Sequence, residues 1–266
     1  MQQTLPRFAL IGQKLGTYMK PFIFSLVLAI APNDLFAQSL YPNSDESNDL
    51  EFILADDPGA CWSIAKTGRG RTEMYDPRRD KLFVEGALHF DVAFPDRKIR
   101  INLHPDVKDP QERAMQAAAS ISRLPTQMRH ALRYVNILDG NGSAWEEADG
   151  GFFTLYDLLM ERRLARRDLD ETVFHESAHV ALDPLLSSDP DWRSSQVADG
   201  EFITGYAAER PNKEDIAESA LFAWTMVHHP GRLGADVEVA VRDIIPNRLE
   251  FLSEFLEDYV PPSCAS

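Results

Sequence analysis

The stretch Asp168-Leu169-Asp170-Glu171-Thr172-Val173-Phe174-His175-Glu176-Ser177-Ala178-His179-Val180-Ala181-Leu182 decides how the rest of the chain is read. Phe174, Ala178, Ala181 and Leu182 recur at three- and four-residue intervals, the spacing of one helical face. Asp168 stands three residues before Glu171, the arrangement of a capping box, which predicts a helix through Leu182. Inside it, residues 175–179 read H-E-x-x-H. Positions i and i+4 lie one above the other, so His175 and His179 can each give a nitrogen to one zinc ion at ~2.0–2.1 Å. Glu176 projects beside them, placed to take a proton from a water whose pKa the metal lowers toward ~7. Small Ser177 and Ala178 leave room around an ion. The alternative is a helix whose two histidines only satisfy hydrogen bonds in a core.

A catalytic zinc usually has three protein ligands and one open position. A metzincin would continue with Gly at 182 and His at 185, but this chain has Leu182 and Leu185. The other route is a glutamate from a later helix. Asn212-Lys213-Glu214-Asp215-Ile216-Ala217-Glu218 supplies it, with Asn212 expected as the cap and Pro230-Gly231 as the stop after about His228. Glu214 in the first turn and Glu218 one turn on share a face. One carboxylate can bind zinc while the second orients a histidine through its other nitrogen. Asp183, close after the motif, reads equally as such an orienting carboxylate or as a helix-end turn residue.

Outward from these helices the pattern changes. Upstream, Lys81–Phe94 and Lys98–His104 alternate apolar and polar residues, with Ile99, Ile101 and Leu103 on one face. Tyr134–Leu138 reads as a buried strand and Phe152–Tyr156 as another. A helix is expected from Pro110, with Ala114, Ala117, Ala118 and Ile121 inward and Pro125 closing it. Downstream, a last amphipathic helix begins near Pro246. Strands first and helices later predict an α+β domain from about residue 51, with the H-E-x-x-H helix and the glutamate helix in its helical C-terminal part. The run Arg162–Arg167 reads as a solvated helix face or as partners for acids within the chain. Trp192 and Trp224 are expected in the core.

The whole chain has 266 residues, 44% of them hydrophobic, enough to bury a sizeable core. Its 42 acidic and 27 basic residues leave a net charge of −15, which argues against nucleic acid as a partner. Residues 1–37 read as a signal peptide: Arg7, Lys14 and Lys20 precede an apolar run from Pro21 to Ala31, and Leu35-Phe36-Ala37 offers a cleavage site. The polar residues 38–50 are expected to be a loose leader. No membrane span is expected after signal removal, and a secreted or periplasmic location follows. No oligomeric state follows. In an oxidising compartment the two cysteines, Cys61 and Cys264, are expected to pair.

His175-Glu176-Ser177-Ala178-His179, then Gly205-Tyr206, then Glu214-Asp215-Ile216-Ala217-Glu218-Ser219 together resemble the zinc metallopeptidases related to the anthrax lethal factor catalytic domain and the Pro-Pro endopeptidases. That group is a gluzincin type with H-E-x-x-H, a tyrosine, then E-x-x-A-E, and the resemblance covers about residues 170–225. It implies a zincin-like fold, one zinc held by His175, His179 and Glu214, Glu176 as general base, and a peptide or protein substrate. It also implies that the Tyr206 phenol stabilises the oxyanion. Tyr206 precedes Glu214 by eight residues, one more than the family's spacing. In zincins a strand edge beside the active helix holds the substrate extended, a role assigned here to Phe152–Tyr156. The rival readings are a zinc-binding module that no longer catalyses, against which Glu176 speaks, and a zinc hydrolase of a non-peptide amide.

Overall fold

The computed structural model describes residues 39–42 and 50–264. The chain runs through β1 (Ser39–Tyr41), β2 (Ser63–Asp76), β3 (Lys81–Ala93), β4 (Lys98–Leu103), α1 (Pro110–Ser122), α2 (Thr126–Ala131), β5 (Tyr134–Leu138), β6 (Trp145–Glu147) and β7 (Phe152–Tyr156). Then come α3 (Asp157–Arg166), α4 (Leu169–Ala181), α5 (Asp183–Leu186), α6 (Pro190–Asp199), β8 (Phe202–Thr204), α7 (Gly205–Glu209), α8 (Asp215–His228), α9 (Ala235–Ile244) and α10 (Pro246–Glu257). The fold is α+β, strands mostly before helices, as the periodicities predict. The expected signal segment lies outside the described residues. Of the leader, Ser39–Tyr41 is a strand rather than loose chain. It pairs in parallel with β8, and the Tyr41 ring stacks on Phe222 at 5.9 Å, so two apolar side chains inside a polar stretch suffice to dock it.

The main sheet has the order β2-β3-β4-β5-β7-β6. β2, β3 and β4 form antiparallel pairs; β4 and β5 are parallel because α1 and α2 cross between them. β5 and β7 are parallel, and β6 runs antiparallel to β7 at the end of the sheet. Side chains alternate across each strand. Ile99, Ile101, Leu103, Val135, Ile137, Phe153 and Leu155 turn to one face and merge with Ala114, Ala117 and Ile121 of α1 and Val173, Phe174 and Ala178 of α4. Each fully buried Leu, Ile or Phe contributes roughly 1.5–3 kcal/mol. Met74, Val84, Ala87, Leu138, Tyr156 and Leu159 make a smaller cluster of their own. Trp192 and Trp224 are buried as expected.

α4 sits at the centre of the helical layer, against α1, α2, α3, α8, β6 and β7. Its start differs from the expected capping box. The Asp168 side chain accepts no backbone N–H of α4; its Oδ2 takes Arg163 Nη1 at 2.7 Å and Arg166 Nε at 3.1 Å instead. Charge-assisted bonds of this kind are about twice as strong as neutral ones, so the arginines win the carboxylate. The arginine run thus finds acid partners within the chain. Asn212 does not cap the glutamate helix either: its Oδ1 accepts from Arg193, and α8 begins at Asp215 with Glu214 in the capping position.

The strand assigned to hold a substrate is also corrected. β7 is flanked by β5 along its whole length and by β6 over residues 152–154, so it is an interior strand rather than an edge. Among the described strands the free edge beside α4 is β6. Cys61 and Cys264 are joined by a disulfide, as expected. No helix among the described residues is long and apolar enough to cross a membrane.

Candidate metal centre

α4 carries both histidines inward because they fall on the same stripe as Phe174 and Ala178. α8 crosses it and brings Glu214 to the same point. His179 Nε2 lies 3.1 Å from His175 Nε2 and 3.1 Å from Glu214 Oε2, and His175 Nε2 lies 3.5 Å from Glu214 Oε2. All three candidate ligand atoms fall within 4.8 Å of one another. Each ring has its outer nitrogen engaged by a carboxylate: His179 Nδ1 with Asp183 Oδ2 at 2.8 Å, and His175 Nδ1 with Glu218 Oε1 at 3.2 Å. Asp183 therefore plays both parts that its position allowed, opening α5 and bonding the histidine one turn back.

The donor set fits a cation. A ring that donates from Nδ1 to a carboxylate presents a lone pair at Nε2. Two such lone pairs and a carboxylate oxygen then converge, which repels unless a positive charge sits between them. Two protonated Nε2 atoms cannot both point into a gap of 3.1 Å. The ionisation of the cluster says the same. Burial pulls His175 and His179 down, but the hydrogen bonds they donate to Glu214 and to Glu218 or Asp183 outweigh it. His175 ends well above the usual imidazole value and His179 at about 9. Burial would raise Glu214, and its two histidine partners instead hold it well below the carboxylate range. The pocket attracts positive charge, whether protons or a divalent ion.

Glu176 stands in the same cleft with a buried Oε2 that has no hydrogen-bond partner. Burial pushes it up to about 7, against the pull of His175 and His179. Tyr206, on the short α7, lines the cleft with His175 and Glu176. Burial first, then the charge of Glu214 and a hydrogen bond to it, raise the phenol to about 12. α7 is fixed at its start. Thr204 Oγ1 accepts from Ala207 N at 3.1 Å, and a Cβ on Gly205 would strike the Pro42 carbonyl. The cleft holds about 320 Å³, with Phe52, Ala144 and Phe222 among its apolar walls.

All predicted site residues of the metal cluster, His175, His179, Glu214, Glu176, Tyr206, Glu218 and Asp183, are thus brought together. Others had no sequence signal. Glu146 of β6 takes Lys213 Nζ at 3.5 Å, and the same ammonium lies 3.8 Å from Glu214 Oε1, tying the free edge to the start of α8. Arg248 of α10 is fully buried between Asp215 at 2.6 Å and Asp199 at 2.9 Å. Asp215 follows Glu214 directly, so this triad fixes the backbone that carries the carboxylate. Comparison with models of known protein families finds no match to this chain, and comparison with curated proteins finds none either.

Proposed function

We propose that this protein is an exported zinc-dependent peptidase of the gluzincin type, related to the lethal factor and Pro-Pro endopeptidase group. One observation carries the reading: His175, His179 and Glu214 converge from two helices on one point, with the unpartnered Oε2 of Glu176 in the same cleft. His175, His179 and Glu214 would hold the ion, and Asp183 and Glu218 keep the imidazoles in the ligating tautomer. Zinc bound there supplies Lewis acidity, acidifying water and polarising a carbonyl. Glu176 takes the proton of the attacking water and passes it to the leaving amine. With His175 and His179 opposing burial, the Glu176 carboxyl stands at about 7, so at and above neutral pH a large share of it is the carboxylate that accepts a proton. Tyr206, whose hydroxyl keeps its proton, donates to the oxygen on which negative charge grows.

The free edge of β6 favours a peptide over other amides, because an extended chain can add to it as a strand. Export is supported by the disulfide, which persists in oxidising compartments. The test is metal analysis of the purified protein joined to digestion of a peptide library, with and without a chelator. Zinc near one equivalent and chelator-sensitive cleavage are expected. A zinc-replete protein that cleaves no peptide but hydrolyses wall-derived amides would overturn the peptidase assignment.

A further inference from the structure

The free edge of the main sheet carries a charge pattern of its own. β6 follows Ser143 and Ala144, which line the metal cleft together with His175 and Glu176. In the antiparallel register of β6 with β7, Glu146 stands opposite Phe153, which is buried in the core on the α4 side. Trp145 and Glu147 stand opposite Thr154 and Phe152 and so belong to the other face. Glu146 therefore turns towards α4, and its side chain is only 15% exposed. Ala144, two residues earlier, packs against the same core.

The two inward positions meet different surroundings. Around Ala144 the cleft is walled by Phe52, Leu159, Leu221 and Phe222, and the Phe52 and Phe222 rings meet edge to face at 4.8 Å. Around Glu146 the surroundings are acidic. Burial and, after it, the charge of Glu146 push up both Glu176 and Asp183, the carboxylate that holds His179. Glu176 itself is 7% exposed and keeps an unpartnered Oε2 in the cleft. The ion-pair partner of Glu146 is Lys213 at 3.5 Å, an ammonium 59% exposed and shared with Glu214. So exposed a pair is weak, and it gives way to a cation held between the strand edge and α4 in less water.

We propose that Glu146 selects the substrate by a positive charge: a peptide added to the β6 edge sets a cationic group beside Glu146 and, with one residue between them, an apolar side chain in the cleft beside Ala144. An added strand shares the pleat of the strand it joins. A residue opposite Glu146 thus points its side chain to the same face, and the residue two positions along returns to that face. The cation is a lysine or arginine side chain, or the amino terminus of a chain that begins at this place; each offers N–H donors to the carboxylate. An acidic side chain at the same place would meet Glu146 and Glu176 as like charges. The inference rests on the peptidase reading and adds to it the class of substrate.

The test is fluorescence anisotropy with the zinc-loaded full chain carrying Glu176→Gln, which holds peptides without cleaving them. The probes are alanine octapeptides, labelled at the C-terminus and acetylated, with lysine and phenylalanine separated by one alanine in either order. Norleucine or glutamate replaces the lysine in the controls. A second pair has no lysine, phenylalanine at the third position, and an amino terminus either free or acetylated. The cationic peptide should bind roughly tenfold more tightly than its neutral control, the scale of one charge-assisted contact, and the glutamate peptide more weakly than either. Adding Glu146→Gln should bring the ratio of cationic to neutral binding close to one, and Glu146→Asp should keep most of it. If Glu146→Gln fails to fold, Lys213→Ala decides: it removes the competing ammonium and should tighten the cationic peptide about threefold, the scale of an exposed ion pair. A preference for lysine in acetylated peptides assigns the side chain, and a preference for the free terminus assigns the amino group. If neither tightens binding, if the preference survives Glu146→Gln, or if Lys213→Ala binds no more tightly, the proposal falls. The peptidase reading fails separately, if the wild-type chain cleaves none of the peptides that bind.

Discussion

Asp183 and Glu218 each hold the outer nitrogen of one histidine, so single substitutions around them separate metal binding from chemistry. His175→Ala, His179→Ala or Glu214→Ala should lose zinc. Glu176→Gln should keep zinc and lose turnover by ~10²-fold or more, because only the proton acceptor is gone. Metal analysis beside kcat decides, and an active Glu176→Gln enzyme would sink the mechanism. A zinc-replete Glu214→Ala together with a zinc-free Glu218→Ala would reverse the two glutamates. Tyr206→Phe deletes one hydroxyl. Its removal should lower kcat by ~10²–10³ with KM, zinc content and melting temperature nearly unchanged. If that variant instead melts several degrees lower and cleaves at the wild-type rate, Tyr206 is a packing residue. Glu171, one turn before His175, is a different case. Its Oε1 accepts from Ile53 N at 3.3 Å, its Oε2 has no partner, and burial raises it from 4.5 to about 7. The folded protein therefore keeps a proton that the unfolded chain releases above 4.5. Stability is lost as pH climbs from there through 7, by about 3 kcal/mol in all. Glu171→Gln holds the same backbone N–H without ionising. Urea midpoints should show it more stable than wild type at about pH 8 and equal at about pH 4; a pH-independent difference would refute the account.

The element that decides the geometry of the centre is the start of α8, and it is held from a distant part of the chain. Arg248, at the start of α10, bonds both oxygens of Asp215 and one of Asp199, and donates to the Glu201 carbonyl. Asp199 in turn accepts the Asn247 and Arg248 backbone N–H groups, so α6, α8 and α10 are locked at one buried point. Arg248→Met would leave two buried carboxylates facing each other. It should cost about 3–5 kcal/mol in a urea titration and lower zinc content, since Asp215 adjoins Glu214. A stable variant that holds zinc as wild type does would show that α8 needs no such clamp. Nothing in the sequence announced this triad, because its members have no periodic or motif relation to one another. The strands and helices that were legible have strong apolar repeats: Tyr134–Leu138 and Phe152–Tyr156 coincide with β5 and β7 to the residue. β2 was not legible because Gly68 and Gly70 interrupt it and its register against β3 shifts at irregular points. β6 has three residues and no alternation to read, which is why the substrate edge fell one strand inward. The cap residues misled for a common reason. Asp168 and Asn212 have the right chemistry for caps, but arginines near them in space, Arg163, Arg166 and Arg193, compete for the same oxygens.

At the scale of the molecule, the two ends of the described domain are tied together. The Cys61–Cys264 bridge spans a sequence separation of 203 residues. The tail that reaches it is docked before it arrives. Thr126 N donates to the Val260 carbonyl at 3.0 Å, Val260 N donates to Gln127 Oε1 at 2.9 Å, and Gln127 Nε2 donates to the Asp258 carbonyl at 2.8 Å. Near the other cysteine, Ala60 N donates to the Ser122 carbonyl at 2.8 Å, so α1 and α2 hold both partners in place. The bridge therefore acts on the unfolded chain more than on the folded one. Closing a loop of this length removes conformational entropy from the unfolded state worth at most about 5 kcal/mol, and delivered values are often smaller. The double variant Cys61→Ser/Cys264→Ser should consequently fold, show the same near-UV circular dichroism, and unfold at a lower urea midpoint. Its m-value should rise, because an unbridged unfolded chain exposes more surface. Mass spectrometry of a non-reduced digest of the wild type supplies the control, a peptide pair joined through Cys61 and Cys264. Alkylatable thiols at both positions would remove the premise. With the wild-type bridge confirmed, an unchanged midpoint for the double variant would show that the tail contacts alone hold the C-terminus, and that the disulfide adds nothing to stability.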